Sequence, residues 1–545
     1  MLSNSIDIAG YERSRVQLID EDRALRVDHP RTVKFTAAEI EADRIVRNIR
    51  SLETQSIWGA DHEDIPHVFP GMEFLTAKDI IVKTKLFQIL TRMPKGALLH
   101  IHQGASVDAS VMLRLALQQP AIHISCPNVI NASTILSTSP RFKAFPEDRY
   151  FDAYGLTELS YIPNTWVSVQ KARENFDSAL GGPEGFDRWV VGAMTINPTE
   201  AYGSHNTVKK IWQKFGDAFM VLDPLIRFLP IWAEHLRAFL LACIDDGISY
   251  TEIRTNTFAK CTSFDPAYTY EIAADGQSSV SRRELFLIFD KVVNDIRSEM
   301  KVQGRGDEFI GAKIIYVLQR FVDNKALDAE LEQCLSMKLE FPHLIVGFDL
   351  VGDEEAHKPL IDYLEPLLRF KQRQQELGVD IPFFFHAGET LGDGSKADMN
   401  LYDAILLGTK RIGHGFSLVK HPKLMEICRE KRIALEVCPI SNEVLRLTSS
   451  MPMHPLPIFM NNGIPVVLCS DDPGIFGNMG LSFDFFQVLV SSEVTGLLTL
   501  GQMARDSIEC STLVGEEKQR AMLAWERRWA MFIKEIVQME AEYLN

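Results

Sequence analysis

Cysteine, basic charge and long apolar runs are all scarce in this sequence. Its 545 residues include only 8 cysteines, too few for a disulfide scaffold. Lys and Arg number 57 against 73 Asp and Glu, and the net charge of −16 disfavours binding to nucleic acid phosphates. No apolar run reaches membrane-spanning length, and residues 1–15 lack the pattern of a signal peptide. We therefore expect a soluble, cytoplasmic protein that binds neither membranes nor bulk nucleic acid.

Eight short apolar runs, typical of β-strands, recur from residue 97 onward. Helix-like segments such as residues 282–300 and 327–339 separate most of them, which favours parallel strands joined by helical crossovers. Eight such units predict an α/β fold, the (β/α)₈ or TIM barrel, whose active site lies at the carboxyl ends of the strands. The runs are residues 97–102, 248–254, 312–318, 344–350, 382–388, 411–415, 433–439 and 465–471.

Two regions fall outside this barrel pattern. Residues 1–85 carry apolar residues at three- and four-residue steps and predict a helical N-terminal extension. Residues 86–545 are then the barrel domain. Its first two runs are too far apart for one helix, and residues 123–205, rich in Pro, Gly, Ser and Asn, predict an insertion over the barrel mouth. Residues 515–544 predict a long amphipathic helix on the outside.

Four residues that could bind one metal ion lie at the ends of the first, fifth and eighth runs. His100 and His102 are two residues apart, so on a strand they share one face. His386 and Asp471 end their own runs, and a barrel would bring all these strand ends together. A single histidine in an apolar run is more often a core residue, but the recurrence at strand ends favours a metal site.

Three further polar residues lie close to these ends. Glu389 could act as a general acid or base beside a metal-bound water, or be a solvated or helix-capping charge. His414, between two glycines, could orient a hydroxide, or be a fourth imidazole ligand. Asp472 could hydrogen-bond a substrate, although a turn before the following proline would also explain the Asp-Asp-Pro sequence.

These motifs, taken together, resemble the adenosine deaminase family, and within it the adenosine deaminase-related growth factors. The resemblance runs from about residue 90 to the end, apart from residues 123–205, and implies a (β/α)₈ barrel with a catalytic zinc. The motifs are MPKGALLHIH (93–102), GFDLVGDE (347–354), FFFHAGET (383–390), RIGHGFSL (411–418), EVCPISNEVL (436–445) and CSDDP (469–473).

By this resemblance, the cofactor is one zinc ion per chain and Glu389 is the proton shuttle. Hydroxide formed at the zinc would attack C6 of the purine while Glu389 protonates N1, and ammonia would leave. The substrates would be adenosine and 2′-deoxyadenosine, and the products inosine and 2′-deoxyinosine. The zinc ligands would be His100, His102, His386 and Asp471.

The resemblance also implies the substrate contacts. His414 would steady the hydroxide, Asp472 would hydrogen-bond N7, and the backbone of Gly352 would meet N3. Trp212 matches an aromatic position of the subfamily near the nucleoside, although core packing explains it equally well.

Two departures from the family pattern concern the sugar. The family usually has Asp directly after the second His of the His-x-His pair, and this chain has Gln103, a neutral amide, to meet the ribose hydroxyls. Gln319 and Arg320 follow the third run, where the subfamily commonly has a polar residue such as His. AMP, or an adenosine with an altered ribose or N6 substituent, is therefore an alternative substrate, although Arg320 could also be a solvated loop charge.

A rival hypothesis of another class is an adenosine-binding signalling protein without catalysis. Loss of a ligand or of Glu389 would indicate it, and all are present. The subfamily is largely secreted, which makes secretion the alternative to the cytoplasm, and it has a disulfide in its insertion. That bridge cannot form here because residues 123–205 contain only Cys126. The resemblance further implies that residues 1–85 are a dimerisation arm, and hence a homodimer.

Overall fold

A computed structural model describes residues 7–543, except residues 33, 64, 66, 152–153 and 256–271. Each of the eight predicted runs contains one strand of a parallel barrel. In the described part of the chain the strands are β1 (Gly96–Leu98), β2 (Ile122–Ser125), β3 (Arg141–Ala144), β4 (Val167–Ser168), β5 (Ile248–Thr255), β6 (Gly311–Gln319), β7 (Ile345–Val351), β8 (His386–Ala387), β9 (Arg411–His414), β10 (Ala434–Val437) and β11 (Val466–Leu468).

The barrel closes through two parallel sheets of four strands each. One sheet has the order β1-β5-β6-β7 and the other β8-β9-β10-β11. Parallel bridges join them, from Phe348 to Phe383 on one side and from Ile101 to Asp471 on the other. Every residue of β5 and β7 is buried, as expected for strands covered on both faces. The predicted (β/α)₈ barrel is confirmed.

Helices cover the outside of the barrel. α11 shows why they form: Ser281 caps it by accepting a hydrogen bond from the backbone N–H of Glu284, and its apolar stripe faces inward. In the described residues the helices are α1 (Ile8–Arg23), α2 (His29–Thr32), α3 (Ala37–Ser56), α4 (Phe74–Ile81), α5 (Lys85–Leu90), α6 (Ala109–Leu117), α7 (Val169–Glu174), α8 (Gly182–Met194), α9 (Val208–Ile226), α10 (Leu229–Asp245), α11 (Arg282–Val302), α12 (Asn324–Glu340), α13 (Leu364–Leu377), α14 (Lys396–Leu407), α15 (Pro422–Lys431), α16 (Pro439–Val444), α17 (Leu456–Asn461), α18 (Pro473–Phe476), α19 (Ser482–Val490), α20 (Leu497–Glu509) and α21 (Gly515–Tyr543).

The N-terminal helices differ in how they meet the barrel. α3 packs against α20 and α21, and its buried Arg50 donates to the carbonyl oxygens of Leu489, Ser492 and Thr495 at 2.8 to 3.0 Å. α1, in contrast, buries none of its side chains. None of the helices within the described ranges combines the length and the apolar character needed to cross a membrane.

The segment between β1 and β5 forms a small layer of its own. β2 pairs antiparallel with β3 and with β4, and β3 packs on α9. The backbone N–H of Ile196 donates to the carbonyl of Ile475 at 3.1 Å, which joins this layer to α18, directly after the last barrel strand. Cys126 is buried and free, and Cys261 lies outside the described residues.

Candidate active site

Four side chains converge at the carboxyl end of the barrel. His100 and His102 follow β1, His386 begins the short β8, and Asp471 follows β11. One nitrogen or oxygen atom from each lies within 4.8 Å of all the others. Oδ1 of Asp471 is 3.3 Å from Nε2 of both His100 and His102, and Nε2 of His102 is 3.3 Å from Nε2 of His386. The structure therefore brings together the four residues predicted as metal ligands.

The outer nitrogens of two of these imidazoles are already engaged. Nδ1 of His100 lies 2.8 Å from Oε2 of Glu436, and Nδ1 of His386 lies 2.6 Å from Oδ2 of Asp349. Their Nε2 atoms are left for the centre of the cluster. Nε2 of His100 and Oδ1 of Asp471 are buried and have no hydrogen-bond partner among the described residues. A cation between them would satisfy both atoms, so the donor set of three imidazoles and one carboxylate fits a metal ion.

The two carboxylates that contact these imidazoles belong to a network of buried charged residues. Arg254 donates to Oδ2 of Asp349 at 2.8 Å and to Oε2 of Glu436 at 2.7 Å. Arg411 donates to Glu436 and to Glu252, at 2.6 Å each. Burial alone would raise the pKa of Glu436, but Arg254 and Arg411 hold that pKa well below its ordinary value. The sequence analysis did not predict these residues. The one feature that could have indicated them is that they are charged residues within otherwise apolar strand runs.

Two buried carboxyl groups lie beside the cluster. Oε1 of Glu389 is 3.6 Å from Nε2 of His414, and Asp472 directly follows Asp471, a predicted ligand. Burial raises the pKa of Glu389 well above its ordinary value, and the negative charges of Asp471 and Glu354 raise it further. The pKa of Asp472 is raised by burial and by Asp471. The raised pKa values favour the protonated form of both groups, in which a carboxyl group can donate a hydrogen bond.

The loop that carries His386 and Glu389 is held from behind. Oε1 of Glu354 accepts the backbone N–H of Glu389 at 2.9 Å. Arg320 donates to the carbonyl oxygens of Leu350, at 3.0 Å, and of His386, and lies 3.5 Å from Glu354. Arg320 is fully buried, so its interpretation as a solvated loop charge is wrong. Its guanidinium orders this loop from inside the protein.

His414 and Asp471 each contact one residue of α16. Nδ2 of Asn442 lies 3.2 Å from Nδ1 of His414, and Oδ1 of Asn442 lies 3.0 Å from Nε2 of His454. Ser441 donates to Oδ2 of Asp471 at 2.8 Å. His414 and Asp471 both have left-handed backbones, with φ of 59° and 62°, which is uncommon for residues other than glycine. Sequence reasoning assigned His454 no part in the site.

The predicted substrate residues lie at neighbouring strand ends. Gln103 follows His102 in a turn and is buried, and its Nε2 has no partner among the described residues. Gln319 ends β6, and Gly352 follows β7 with φ of 108°. Because side chains rarely adopt a φ of 108°, glycine is needed at this position beside Oε1 of Gln319.

Trp212 lies on α9, half-buried and edge-on to Phe215, with ring centroids 5.2 Å apart. Phe215 in turn stacks on Phe476, which ends α18. Farther along α9, Phe219 packs on the turn after His102. The contact is close: a Cβ on Gly104 would lie 3.1 Å from the ring of Phe219. α9 thus contacts two of the three segments that carry predicted metal ligands, those after β1 and β11.

A parallel eight-stranded barrel with a cluster of His and Asp side chains at its carboxyl end that could hold a metal ion is the architecture of a TIM-barrel enzyme. A model of the family described as adenosine deaminase matches residues 206–524, more than half of the chain. Adenosine deaminase 2 from Homo sapiens is 33% identical over 473 residues, which cover 86% of this chain and 84% of that protein. The chain therefore belongs to the adenosine deaminase family, and it resembles adenosine deaminase 2.

Solved structures with the same barrel include an N6-methyl-AMP deaminase from Arabidopsis thaliana. It is 17% identical and has a TM-score of 0.51, and the match covers 81% of this chain and 98% of that one. A second is an amidohydrolase from Burkhoderia ambifaria with bound Zn, which is 16% identical, with a TM-score of 0.50 over 83% of this chain and 95% of that one. At these identities the likeness confirms the fold.

Proposed function

We propose that this protein is a zinc-dependent hydrolase that converts adenosine and 2′-deoxyadenosine to inosine and 2′-deoxyinosine with release of ammonia. The observation that carries the proposal is the convergence of four side chains that could hold one metal ion beside two buried carboxyl groups, Glu389 and Asp472. Membership of the adenosine deaminase family supports it, because that family acts on small purines.

Zinc is the proposed metal, one ion per chain. His100, His102, His386 and Asp471 would hold it, because nitrogen ligands with a single carboxylate suit zinc better than magnesium or calcium, which prefer oxygen. A zinc ion bound there would lower the pKa of water, so that a nucleophile forms near neutral pH.

The chain's own side chains then account for the rest of the reaction. The protonated Glu389 donates to purine N1, which makes C6 electrophilic, while Nε2 of His414 steadies the incoming oxygen. A bond forms between that oxygen and C6, and the ionised Glu389 takes the remaining proton of the oxygen and passes it to the amine. The C6–N6 bond then breaks, and ammonia leaves as C6 becomes a carbonyl. Asp472 donates to N7, and the backbone N–H of Gly352 faces N3.

The sugar end is assigned to Gln103, Gln319 and Trp212. The buried amide of Gln103 can hydrogen-bond a ribose hydroxyl without a charge of its own. Arg320 is fully buried, donates to two backbone carbonyls and has Nη1 3.5 Å from a carboxylate oxygen of Glu354. A neighbouring carboxylate would repel a phosphate, which favours a nucleoside over AMP. N6-substituted and ribose-modified adenosines remain within the same proposed chemistry.

The decisive experiment measures the loss of purine absorbance with recombinant protein and zinc. Adenosine, 2′-deoxyadenosine, AMP and N6-methyladenosine are compared, with Glu389→Gln as the inactive control. We expect turnover of the two nucleosides that disappears in the control while zinc content is unchanged. Turnover of AMP alone would show that the substrate is a nucleotide and not a nucleoside. No turnover of any of them by zinc-loaded protein would contradict the deaminase proposal and favour a binding role.

The proposal extends to a homodimer in which residues 1–85 form the dimerisation arm. It is supported by α1, which leaves Ile8, Tyr11, Val16 and Leu18 mostly exposed. A second copy of the chain could cover these apolar side chains.

A further inference from the structure

A chain of hydrogen bonds, called the relay below, runs from the backbone of Leu456 through His454 and Asn442 to His414. It begins at a backbone N–H group, which can only donate. Leu456 is the first residue of α17, where backbone N–H groups have no partner inside the helix. Its N–H donates to Nδ1 of His454 at 3.0 Å. His454 is buried, and burial lowers its pKa to about 3, so the imidazole is neutral. With Nδ1 acting as the acceptor, the single proton of the neutral ring must be on Nε2.

The next member of the relay is oriented by that proton. Nε2 of His454 lies 3.0 Å from Oδ1 of Asn442, so the amide oxygen accepts its hydrogen bond. The amide nitrogen of Asn442 is then turned toward Nδ1 of His414, 3.2 Å away. An amide N–H can only donate, and Nδ1 of His414 must therefore carry the lone pair. A ring nitrogen that accepts a hydrogen bond carries no proton, so this ring is neutral as well and its single proton is on Nε2.

We propose that Asn442 and His454 are positioning residues that keep the proton of His414 on Nε2. Nε2 of His414 faces Oε1 of Glu389 at 3.6 Å and Oδ2 of Asp471 at 3.9 Å. A protonated nitrogen donates a hydrogen bond and cannot bind a metal ion, so His414 is the donor to the nucleophilic oxygen and not a fourth imidazole ligand. This inference rests on the proposed deaminase function for its kinetic consequence, but not for its metal-binding consequence.

Asn442→Asp tests the relay directly. A carboxylate accepts from both imidazoles, so it would draw the proton of His414 to Nδ1 and leave a lone pair on Nε2. We expect kcat to fall about 100-fold or more, as when one donor to a developing oxyanion is removed, with KM for adenosine almost unchanged. In the cobalt-substituted protein the visible spectrum should change, because an additional nitrogen can now bind the ion.

His454 supplies the matched pair of variants. Gln at 454 can still donate to Oδ1 of Asn442, so His454→Gln should retain most of kcat, whereas His454→Leu frees the amide to rotate and should lose it. Asn462→Asp, at an exposed position of the same region, controls for the added charge. Thermal melts of all four variants separate unfolding from loss of the donor.

The outcomes separate the relay from the proposed function. Wild-type kcat in Asn442→Asp with an unchanged cobalt spectrum would overturn the relay, and so would equal losses in His454→Gln and His454→Leu. If the zinc-loaded wild type turns over no purine, the proposed function fails, and the cobalt spectrum of Asn442→Asp still decides whether the relay sets the His414 tautomer.

Discussion

Asp349 serves a predicted metal ligand and a buried guanidinium with the same oxygen. Its Oδ2 lies 2.6 Å from Nδ1 of His386 and 2.8 Å from Nε of Arg254, and the whole side chain is buried. Although burial alone would raise its pKa, His386 and Arg254 hold that pKa below the ordinary value. The carboxylate therefore stays charged and fixes the imidazole with Nε2 toward the cluster.

Asp349→Asn is expected to weaken metal binding by about 10–100-fold, since a neutral amide supports the imidazole less well. Competition with a chromophoric chelator measures this affinity. Asp328→Asn is the matched control, because Asp328 pairs with Arg369 on the surface. Equal metal affinities in the two variants would show that Asp349 has only a structural role.

At the scale of elements, Glu443 on α16 joins α4 to the layer inserted between β1 and β5. Its Oε2 accepts from the backbone N–H of Phe74 and from the hydroxyl of Tyr202, at 3.0 Å each. Burial raises the pKa of Glu443 from 4.5 to about 8. Between these values the folded protein holds a proton that the unfolded chain releases. This contribution to stability is therefore complete below pH 4.5 and is lost as the pH rises toward 8.

Glu443→Gln should remove that pH dependence, because the amide keeps the two accepted hydrogen bonds and never ionises. We expect its free energy of unfolding, measured in urea across this pH window, to fall less with rising pH than that of the wild type. Glu430→Gln, at an exposed position, should follow the wild type. Parallel curves for all three proteins would mean that Glu443 ionises in the folded state as it does in the unfolded chain.

α18 and the turn after His102 are in close contact. A Cβ on Gly474 would lie 2.3 Å from the carbonyl oxygen of Val107 and 2.8 Å from that of Ala105. Gly474→Ala should therefore push apart the two loops that carry His102 and Asp471, and reduce both metal content and stability. Elemental analysis and thermal melts measure these effects.

Gly216 provides the opposite case, in the middle of α9. Apart from its chain neighbours and the backbone of its own helix, none of the described atoms lies within 4 Å of its Cβ position, and alanine favours a helix more than glycine does. Gly216→Ala should stabilise the protein by about 0.5–1 kcal/mol without changing its metal content. A loss of metal in Gly216→Ala as well would show that the effect of Gly474→Ala does not depend on the contact described.

For the whole molecule, the sequence was sufficient where the signal is local. A period of two puts His100 and His102 on one face, and eight apolar runs indicate eight buried strands. The roles of Arg320, Asn442 and Glu354 depend on partners from distant strands, so no local pattern separates them from surface polar residues. The three strands β2, β3 and β4 were also missed, because their short segments lie among turn-forming residues.

The N-terminal extension is predicted to form a dimer contact with a second copy of the chain. The segment after α1 is fixed to the barrel domain, because the backbone N–H of Val27 donates to the carbonyl of Met460 at 2.9 Å and Oδ2 of Asp28 accepts from Thr499 at 3.0 Å. α1 itself projects from this anchor with no buried side chain. Its position relative to the barrel is therefore fixed at one end while its apolar side chains stay uncovered.

A homodimer that covers α1 should be sensitive to charge on its apolar side chains. Tyr11 and Val16 are 72% and 55% exposed in the single chain, and burying a carboxylate there without a partner would oppose association. We expect wild-type protein to have the mass of a dimer by light scattering, and the double variant Tyr11→Glu, Val16→Glu that of a monomer with the same thermal stability. Arg13→Glu adds a similar charge on the same helix and should remain dimeric if the apolar side chains carry the contact. A wild-type monomer, or a dimer that survives the double variant, would contradict the role of α1 as a dimerisation arm.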